Sequence, residues 1–234
     1  MGEWVPRKLL RVNLSSSKIK PETIPTQIYK DFLGGKGFSA QLIFKELKAH
    51  TDPLSEMNKL VFMTGPLTGT VAPAACKFSV ATRSPLTGAW LDAHCGGFWG
   101  PELRFAGYEG IIIEGRALKP IYLHIEDGQA EIRDASDLWG KSTFETMEVL
   151  RNRHKTDRTV RVASIGQYGE KLGLLASIIA DVRAVGRGGS GAVMGSKNLK
   201  AISVVGHMKV EVAHPEEFRE ACNVANQKIR ENEV

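Results

Sequence analysis

The chain contains little cysteine and lacks the spacings that build metal–sulfur centres. Its three cysteines, Cys76, Cys95 and Cys222, are far apart among 234 residues, and no Cys-x-x-Cys pair occurs. A structural zinc site or an iron–sulfur cluster usually needs four ligands at close spacing, so the chain encodes neither by itself. An odd number of widely spaced cysteines also argues against a disulfide framework, which favours a reducing cytoplasm.

Long apolar runs and concentrated positive charge are also missing. No apolar run approaches the ~20 residues of a membrane span, and residues 1–6 lack the basic and apolar regions of a signal peptide. The formal net charge is +5, but lysine and arginine are dispersed and aromatic residues make up 7% of the chain. We therefore expect no membrane association and no nucleic-acid partner.

Short strand patterns joined by turn residues are abundant. Asp127-Gly128 predicts a hairpin turn, and Ser142 with Glu145 predicts a capping box at a helix start. Many strands and few helices predict an α+β fold that is largely antiparallel. The predicted strands are 8–14, 19–24, 59–63, 77–82, 110–115, 121–125, 130–133, 158–165, 174–181 and 199–205. The predicted helices are 38–47, 98–105, 142–154, 191–197 and 218–232, and Glu102 and Arg104 are interpreted as surface charges.

Two glycine-rich segments are typical of places where backbone binds an anion. They are residues 93–102 (AHCGGFWGPE) and residues 183–191 (RAVGRGGSG), and the second runs into MGSKNLK. Glycine lets N–H groups approach a ligand closely, and a helix that begins after such a loop adds its positive dipole end. Arg183, Arg187 and Lys197 add formal charge. The segments predict a phosphorylated cofactor held between them.

Other interpretations of these motifs stay open. Gly186-x-Gly188-x-x-Gly191 matches the dinucleotide fingerprint, but about ten residues before the next strand are too few for a crossover helix. Cys95 is either a buried side chain or a thiol whose pKa is lowered by the neighbouring helix N-terminus. Lys77 is either a solvated edge charge or an anion ligand. The turns at residues 64–70 and 84–88 are, taken singly, ordinary turns.

Taken in order, these segments resemble the N-terminal domain of the tungsten-containing aldehyde ferredoxin oxidoreductases. The resemblance covers about residues 7–206. It is carried by RVNL at 11–14, GGKG at 34–37, TGPLTGT at 64–70, SPLTG at 84–88, GGFWGPEL at 96–103, DASDLWGK at 134–141 and GRGGSGAVMGSKNLK at 186–200.

The resemblance implies two mostly antiparallel β-sheets that form a platform for a bis-pterin cofactor of tungsten or molybdenum. In that family the backbone of two loops holds a magnesium ion that bridges the pterin phosphates, which by position implies metal contacts from His94 and Ala184. Lys77 stands where relatives often carry arginine, and His94 where asparagine is common. The implied cofactor-binding residues are Lys77, His94, Cys95, Gly96, Gly97, Arg183, Ala184, Gly186, Arg187 and Gly188.

The same resemblance implies a domain organisation and an activity. Residues 1–210 would be the pterin-binding domain and residues 211–234 the start of a truncated helical domain, with the [4Fe–4S] cluster in later domains. The implied activity is oxidation of aldehydes to carboxylic acids with ferredoxin as electron acceptor. The alternatives are a platform subunit that acts only with a partner carrying the iron–sulfur domains, and an enzyme for a non-aldehyde substrate. We also expect a homo-oligomer, because an apolar face would be exposed.

The cysteine pattern gives a first test. We expect the purified 234-residue chain to carry no iron–sulfur cluster, because three scattered thiols cannot supply the ligands. Iron and acid-labile sulfide, measured on the monomeric fraction, should fall far below one cluster per chain. Stoichiometric iron and sulfide would contradict the expectation.

Overall fold

The computed structural model describes residues 7–232 and consists of two β-sheets with helices packed on them. This confirms the predicted α+β class. The strands are β1 (Lys8–Asn13), β2 (Lys18–Thr23), β3 (Leu60–Thr64), β4 (Phe78–Arg83), β5 (Trp90–Cys95), β6 (Gly110–Glu114), β7 (Ile121–Glu126), β8 (Gln129–Asp134), β9 (Arg161–Ser164), β10 (Ile178–Ala180), β11 (Arg183–Val185) and β12 (Leu199–Val205). The helices are α1 (Thr26–Phe32), α2 (Gly35–Glu46), α3 (Trp99–Phe105), α4 (Thr143–Arg153), α5 (Gln167–Glu170), α6 (Ser190–Ser196) and α7 (Pro215–Arg230).

Each sheet has six strands, and most neighbours are antiparallel. The first sheet has the order β2-β1-β6-β3-β4-β5, and the second has the order β11-β10-β9-β12-β7-β8. Only the β1–β6 and β7–β12 pairs run parallel. The mostly antiparallel, two-sheet arrangement is therefore confirmed. The order leaves β5 at an edge of the first sheet and β11 at an edge of the second.

The main hydrophobic core contains buried residues of both sheets, and α3 contributes its centre. Phe62, Phe78 and Trp99 pack together, with ring centroids 4.7 to 6.5 Å apart. The Trp99 indole Nε1 donates a hydrogen bond to the Ile202 carbonyl at 3.2 Å, so α3 links the two sheets. Two smaller clusters lie under α1 and α2 on the first sheet and beside α4 on the second.

Four short elements that were not predicted, and two strands shorter than predicted, distinguish the structure from the sequence prediction. Strand β5, strand β11 and helix α5 were not predicted, and residues 174–181 form a strand only at β10. In β5 the buried Leu91 and Ala93 alternate with the polar Asp92 and His94. That alternation is the pattern of a half-buried strand, but it is only six residues long and runs into two glycines. Helix α1 was also missed, and α2 begins at Gly35 rather than Phe38.

The interpretation of Glu102 and Arg104 as surface charges is wrong, because α3 lies between the sheets and both side chains are buried. Glu102 accepts hydrogen bonds from the Gly206 N–H at 3.0 Å and from Arg158 at 3.2 Å. Arg104 pairs with Glu109 at 2.5 Å. These pairs satisfy charges that would otherwise be costly to bury, and they tie α3 to the end of β12.

Among residues 7–232, no helix combines the length and the apolar composition needed to cross a membrane.

Two buried imidazoles stack where the C-terminus of α4 meets the second sheet. The rings of His124 and His154 are 3.7 Å apart and tilted by 13°. Ser203 Oγ lies 2.9 Å from His124 Nδ1, and the Tyr122 hydroxyl lies 3.0 Å from His154 Nε2. Burial is the main reason that the pKa of each imidazole falls to about 4, and the charge of Arg133 contributes to that lowering. Both rings are therefore neutral at neutral pH.

This pair predicts a loss of stability in acid. The unfolded chain takes up protons near pH 6.5, whereas the folded rings resist protonation down to about pH 4. The free energy of unfolding should thus fall as pH drops between these values. His154→Gln should reduce this pH-dependent loss of unfolding free energy by on the order of 2 kcal/mol. Urea unfolding at several pH values between 4 and 6.5 measures it. Tyr122→Phe, which keeps both imidazoles, should lower stability without flattening the profile. Parallel curves for wild type and His154→Gln would contradict this account.

Candidate cofactor site at the meeting of two sheet edges

The two glycine-rich segments come together because β5 and β11 pack against each other across the sheets. A Cβ atom added to Gly97 would lie 3.4 Å from Arg183 Cδ. One added to Gly188 would lie 2.2 Å from Leu91 Cδ1. Since residue 183 lies beside residue 97 and residue 188 beside residue 91, the two segments run side by side in opposite directions. Residues 184–187 therefore lie alongside residues 92–95.

Both segments present backbone N–H groups without protein partners. In the part of the chain that the structure describes, the N–H groups of residues 96–100 and 186–190 donate no hydrogen bond to another protein atom. Ten such groups at one sheet junction are a source of partial positive charge, and backbone N–H groups that converge on one place bind anions. The geometry thus supports the predicted phosphate-binding character of both segments.

Three cations add to this positive potential. Lys77, Arg183 and Arg187 are exposed, and within residues 7–232 none of them takes part in an ion pair. Lys77 directly precedes β4, whose Phe78 is the register partner of Cys95. Lys77 therefore lies near Gly96, which favours the anion-ligand interpretation over that of an isolated edge charge.

The glycines of the second loop have different roles. Gly188 and Gly189 have φ angles of +72° and +81°, in the left-handed region that favours glycine. A Cβ on Gly189 would lie 2.3 Å from the Leu174 carbonyl oxygen. Gly188 is closed off in the same way by Leu91, so at both glycines the side on which a Cβ would stand faces the protein. A larger residue at position 188 would disturb core packing. A Cβ on Gly186 would meet only the Ala184 Cβ, at 3.9 Å, so this glycine has room beside it.

Lys197 was expected to add charge to this loop, and the structure places it elsewhere. The side chain is fully buried, and burial lowers the pKa of its ammonium group to about 7. Its Nζ donates to the carbonyl oxygens of Asn58 at 2.6 Å, Gly115 at 3.0 Å and Glu56 at 3.4 Å. Lys197 therefore anchors the end of α6 to the first sheet and does not reach the loop's outer side.

His94 and Cys95 point to opposite faces of β5. The His94 ring is half-exposed, and its Nε2 lies 2.9 Å from Asp92 Oδ2. The other Asp92 oxygen is buried without a hydrogen-bond partner among the described residues. Cys95 lies in the main core, and burial raises the pKa of its thiol to about 11. Of the two interpretations of Cys95, that of a buried side chain fits the structure, because desolvation outweighs the charge of Arg183, so Cys95 is a thiol rather than a thiolate at neutral pH.

Side chains do not form a metal site here. Across residues 7–232, no three His, Cys, Asp or Glu side chains are grouped so that they could hold a metal ion. Any divalent cation at this junction would depend on backbone carbonyls and on oxygens of the bound anion itself. Oxygen ligands of this kind suit magnesium. Free N–H groups, unpaired cations and the open side of Gly186 fit a ligand with phosphate groups.

The chain is similar to enzymes of Pyrococcus species. It is 48% identical over all its residues to the tungsten-containing aldehyde ferredoxin oxidoreductase of Pyrococcus horikoshii, and 46% identical to that of Pyrococcus furiosus. It spans 38% of the length of each of these relatives. It is also 37% identical, over 85% of its residues and 34% of the relative, to the WOR-like subunit of an aliphatic sulfonate oxidoreductase from Pyrococcus furiosus.

A solved structure has the same fold. The active site complex BamBC of benzoyl coenzyme A reductase, in complex with 1,5 dienoyl-CoA, matches with a TM-score of 0.93 and 38% sequence identity. The match covers 95% of this chain and 34% of that one. The sequence model of the aldehyde ferredoxin oxidoreductase N-terminal domain matches residues 9–206. The chain therefore belongs to the aldehyde ferredoxin oxidoreductase family, with its N-terminal domain in this region.

Proposed function

We propose that this chain is the cofactor-binding part of an oxidoreductase that converts aldehydes to carboxylic acids and passes the electrons to ferredoxin. The observation that most supports this proposal concerns the place where β5 meets β11. There the N–H groups of residues 96–100 and 186–190 have no protein partner among the described residues. Such a junction suits a cofactor with two phosphate groups, one facing each row. The tungsten enzymes among the relatives favour tungsten in a bis-pterin, although molybdenum stays an alternative.

Each named residue has a physical role in this proposal. The N–H groups of Gly96, Gly97, Gly186 and Gly188 would hydrogen-bond phosphate oxygens, while Lys77, Arg183 and Arg187 would offset their charge. The carbonyls of His94 and Ala184 would hold a magnesium ion between the phosphates, with Cys95 packed beneath. The bound metal would supply the redox chemistry of R–CHO + H₂O → R–COO⁻ + 3H⁺ + 2e⁻. This chain's own contribution is binding and orientation.

The remaining parts of the proposal concern organisation. Residues 1–210 would form the cofactor domain, and α7 would belong to a second, helical domain. A [4Fe–4S] cluster and the surface that meets ferredoxin would lie on segments outside this chain, because its cysteines are too few. We propose that the protein is a homo-oligomer, because exposed apolar side chains such as Phe44 and Val182 favour association. We also propose that it is located in the cytoplasm.

Two similarities favour a second candidate. One relative is a subunit of an aliphatic sulfonate oxidoreductase, and the structural neighbour is a complex that contains 1,5 dienoyl-CoA. The chain would then serve as a platform for a partner subunit, or for a substrate other than an aldehyde. Assaying the longer protein that contains this chain with aldehydes, alkyl sulfonates and aromatic thioesters would separate these candidates. Tungsten content without aldehyde oxidation would favour the second.

Arg187 tests the anion site directly. Arg187→Ala should weaken binding of magnesium pyrophosphate to the 234-residue chain by about 10- to 100-fold, because a charge-assisted contact contributes roughly 1.5–3 kcal/mol. Isothermal titration calorimetry gives the affinity. The midpoint of thermal unfolding should hardly move, since Arg187 is exposed and forms no ion pair within the described residues.

Arg219→Ala is the matched control, because Arg219 is an exposed arginine on α7, outside both glycine-rich segments. Its affinity for pyrophosphate should equal that of the unsubstituted chain. In the longer protein, Arg187→Ala should also lower tungsten and pterin content. Equal pyrophosphate affinity and equal cofactor content in both variants would contradict the proposed site.

A further inference from the structure

The turn at residues 84–88 contacts the second glycine-rich loop through one buried hydroxyl. Ser84 Oγ donates a hydrogen bond to the Gly188 carbonyl at 2.7 Å. The same oxygen accepts from the Leu86 N–H at 3.2 Å and the Thr87 N–H at 3.1 Å. One donated and two accepted bonds use the full capacity of a hydroxyl. Its orientation is therefore fixed by the protein.

The backbone of Ser84 is held equally firmly. Its N–H donates to the Ala89 carbonyl at 2.8 Å, and its carbonyl accepts from the Gly88 N–H at 2.9 Å. Ser84 is 1% exposed. No polar group of this residue is left to face solvent, so the turn acts as a rigid support for whatever the hydroxyl contacts.

Holding the Gly188 carbonyl also sets the direction of the next N–H group. In a trans peptide the C=O and the following N–H point in opposite directions. With the Gly188 oxygen aimed at Ser84, the Gly189 N–H points away from the turn, and it donates to no other group among the described residues. Leu91 packs under Gly188, and Pro85 and Leu174 pack beside Gly189, so both glycines lie directly against the protein.

We propose that Ser84 is a positioning residue for the anion site: its hydroxyl fixes the Gly188–Gly189 peptide so that the Gly189 N–H faces the bound phosphate. The proposal rests on the proposed function, which assigns the loop to a phosphorylated cofactor. Without the hydroxyl, the buried carbonyl would lose its partner, and the peptide could turn over to find another. The loop would then present an oxygen where the anion needs a donor.

The test uses the 234-residue chain with magnesium pyrophosphate as the probe. Ser84→Ala should bind pyrophosphate about tenfold more weakly than the unsubstituted chain. Thr87→Ala is the matched control, because the Thr87 hydroxyl belongs to the same turn and bonds only the Ala89 N–H. Thr87→Ala should keep its affinity, and Ser84→Thr, which restores a hydroxyl, should recover most of what Ser84→Ala loses.

Amide NMR spectra give a second measurement. In the unsubstituted chain, pyrophosphate should shift the Gly189 N–H resonance and protect this N–H from hydrogen exchange, a result that does not depend on the folding of any variant. In Ser84→Ala, the shift should be absent. If the unsubstituted chain binds pyrophosphate while Gly189 is unaffected, or if Ser84→Ala binds as tightly, the role of Ser84 is overturned but the anion site stands. If the unsubstituted chain binds no pyrophosphate, the proposed function is overturned as well.

Discussion

The geometry of the site depends on buried ammonium groups at the turn between α6 and β12. A loop whose N–H groups are left free for a ligand cannot stabilise itself, so its position must be set from behind. Lys197 attaches the end of α6 to the first sheet by donating hydrogen bonds to three backbone carbonyls. Lys200, also fully buried, pairs with Glu170 and donates to the Lys141 carbonyl at 2.7 Å on the other side. Taking lysine amino groups out of water is costly unless hydrogen bonds surround them, and here they do.

Close backbone packing completes this support. A Cβ on Gly195 would lie 2.0 Å from the Gly169 carbonyl oxygen, and one on Gly191 would lie 2.6 Å from that of Ser177. Glycine at these positions lets α6 lie directly against α5 and the segment before β10. The glycines of the second segment thus divide into two groups. Those at 188, 189, 191 and 195 permit contacts within the protein, whereas Gly186 is open to a ligand.

The fold class and most of the longer strands could be predicted from the sequence, because each strand has a local pattern. The capping box at Ser142 and Glu145 is present in the structure as predicted. Contacts between residues that are far apart in the sequence could not be predicted in this way. Lys197 looks like one more cation of the glycine-rich loop, and only the tertiary structure brings the carbonyls of Asn58 and Gly115 to it.

The same limit applies at Glu102, where the surface interpretation is wrong, and at Cys95, where the sequence left two interpretations open. Glu102 lies on a short helix that any local pattern would place at the surface, but α3 is enclosed by both sheets. Cys95 precedes a helix start, which would lower its thiol pKa if water reached it. Burial in the core reverses the sign. In both cases the deciding quantity is desolvation, which depends on what the remote parts of the chain cover.

A junction that binds through the backbone tolerates variation in its side chains. The N–H groups of residues 96–100 and 186–190 are present whatever side chains stand beside them, provided that the glycines allow the chain path. The side chains of Lys77 and His94 therefore shape the rim of the site but not its donors. Substitution is constrained instead at residues that hold the backbone in place without contacting a ligand, such as Ser84, Leu91 and Lys197. In this architecture, the residues that support the loop from the protein side matter for binding as much as the residues of the loop itself.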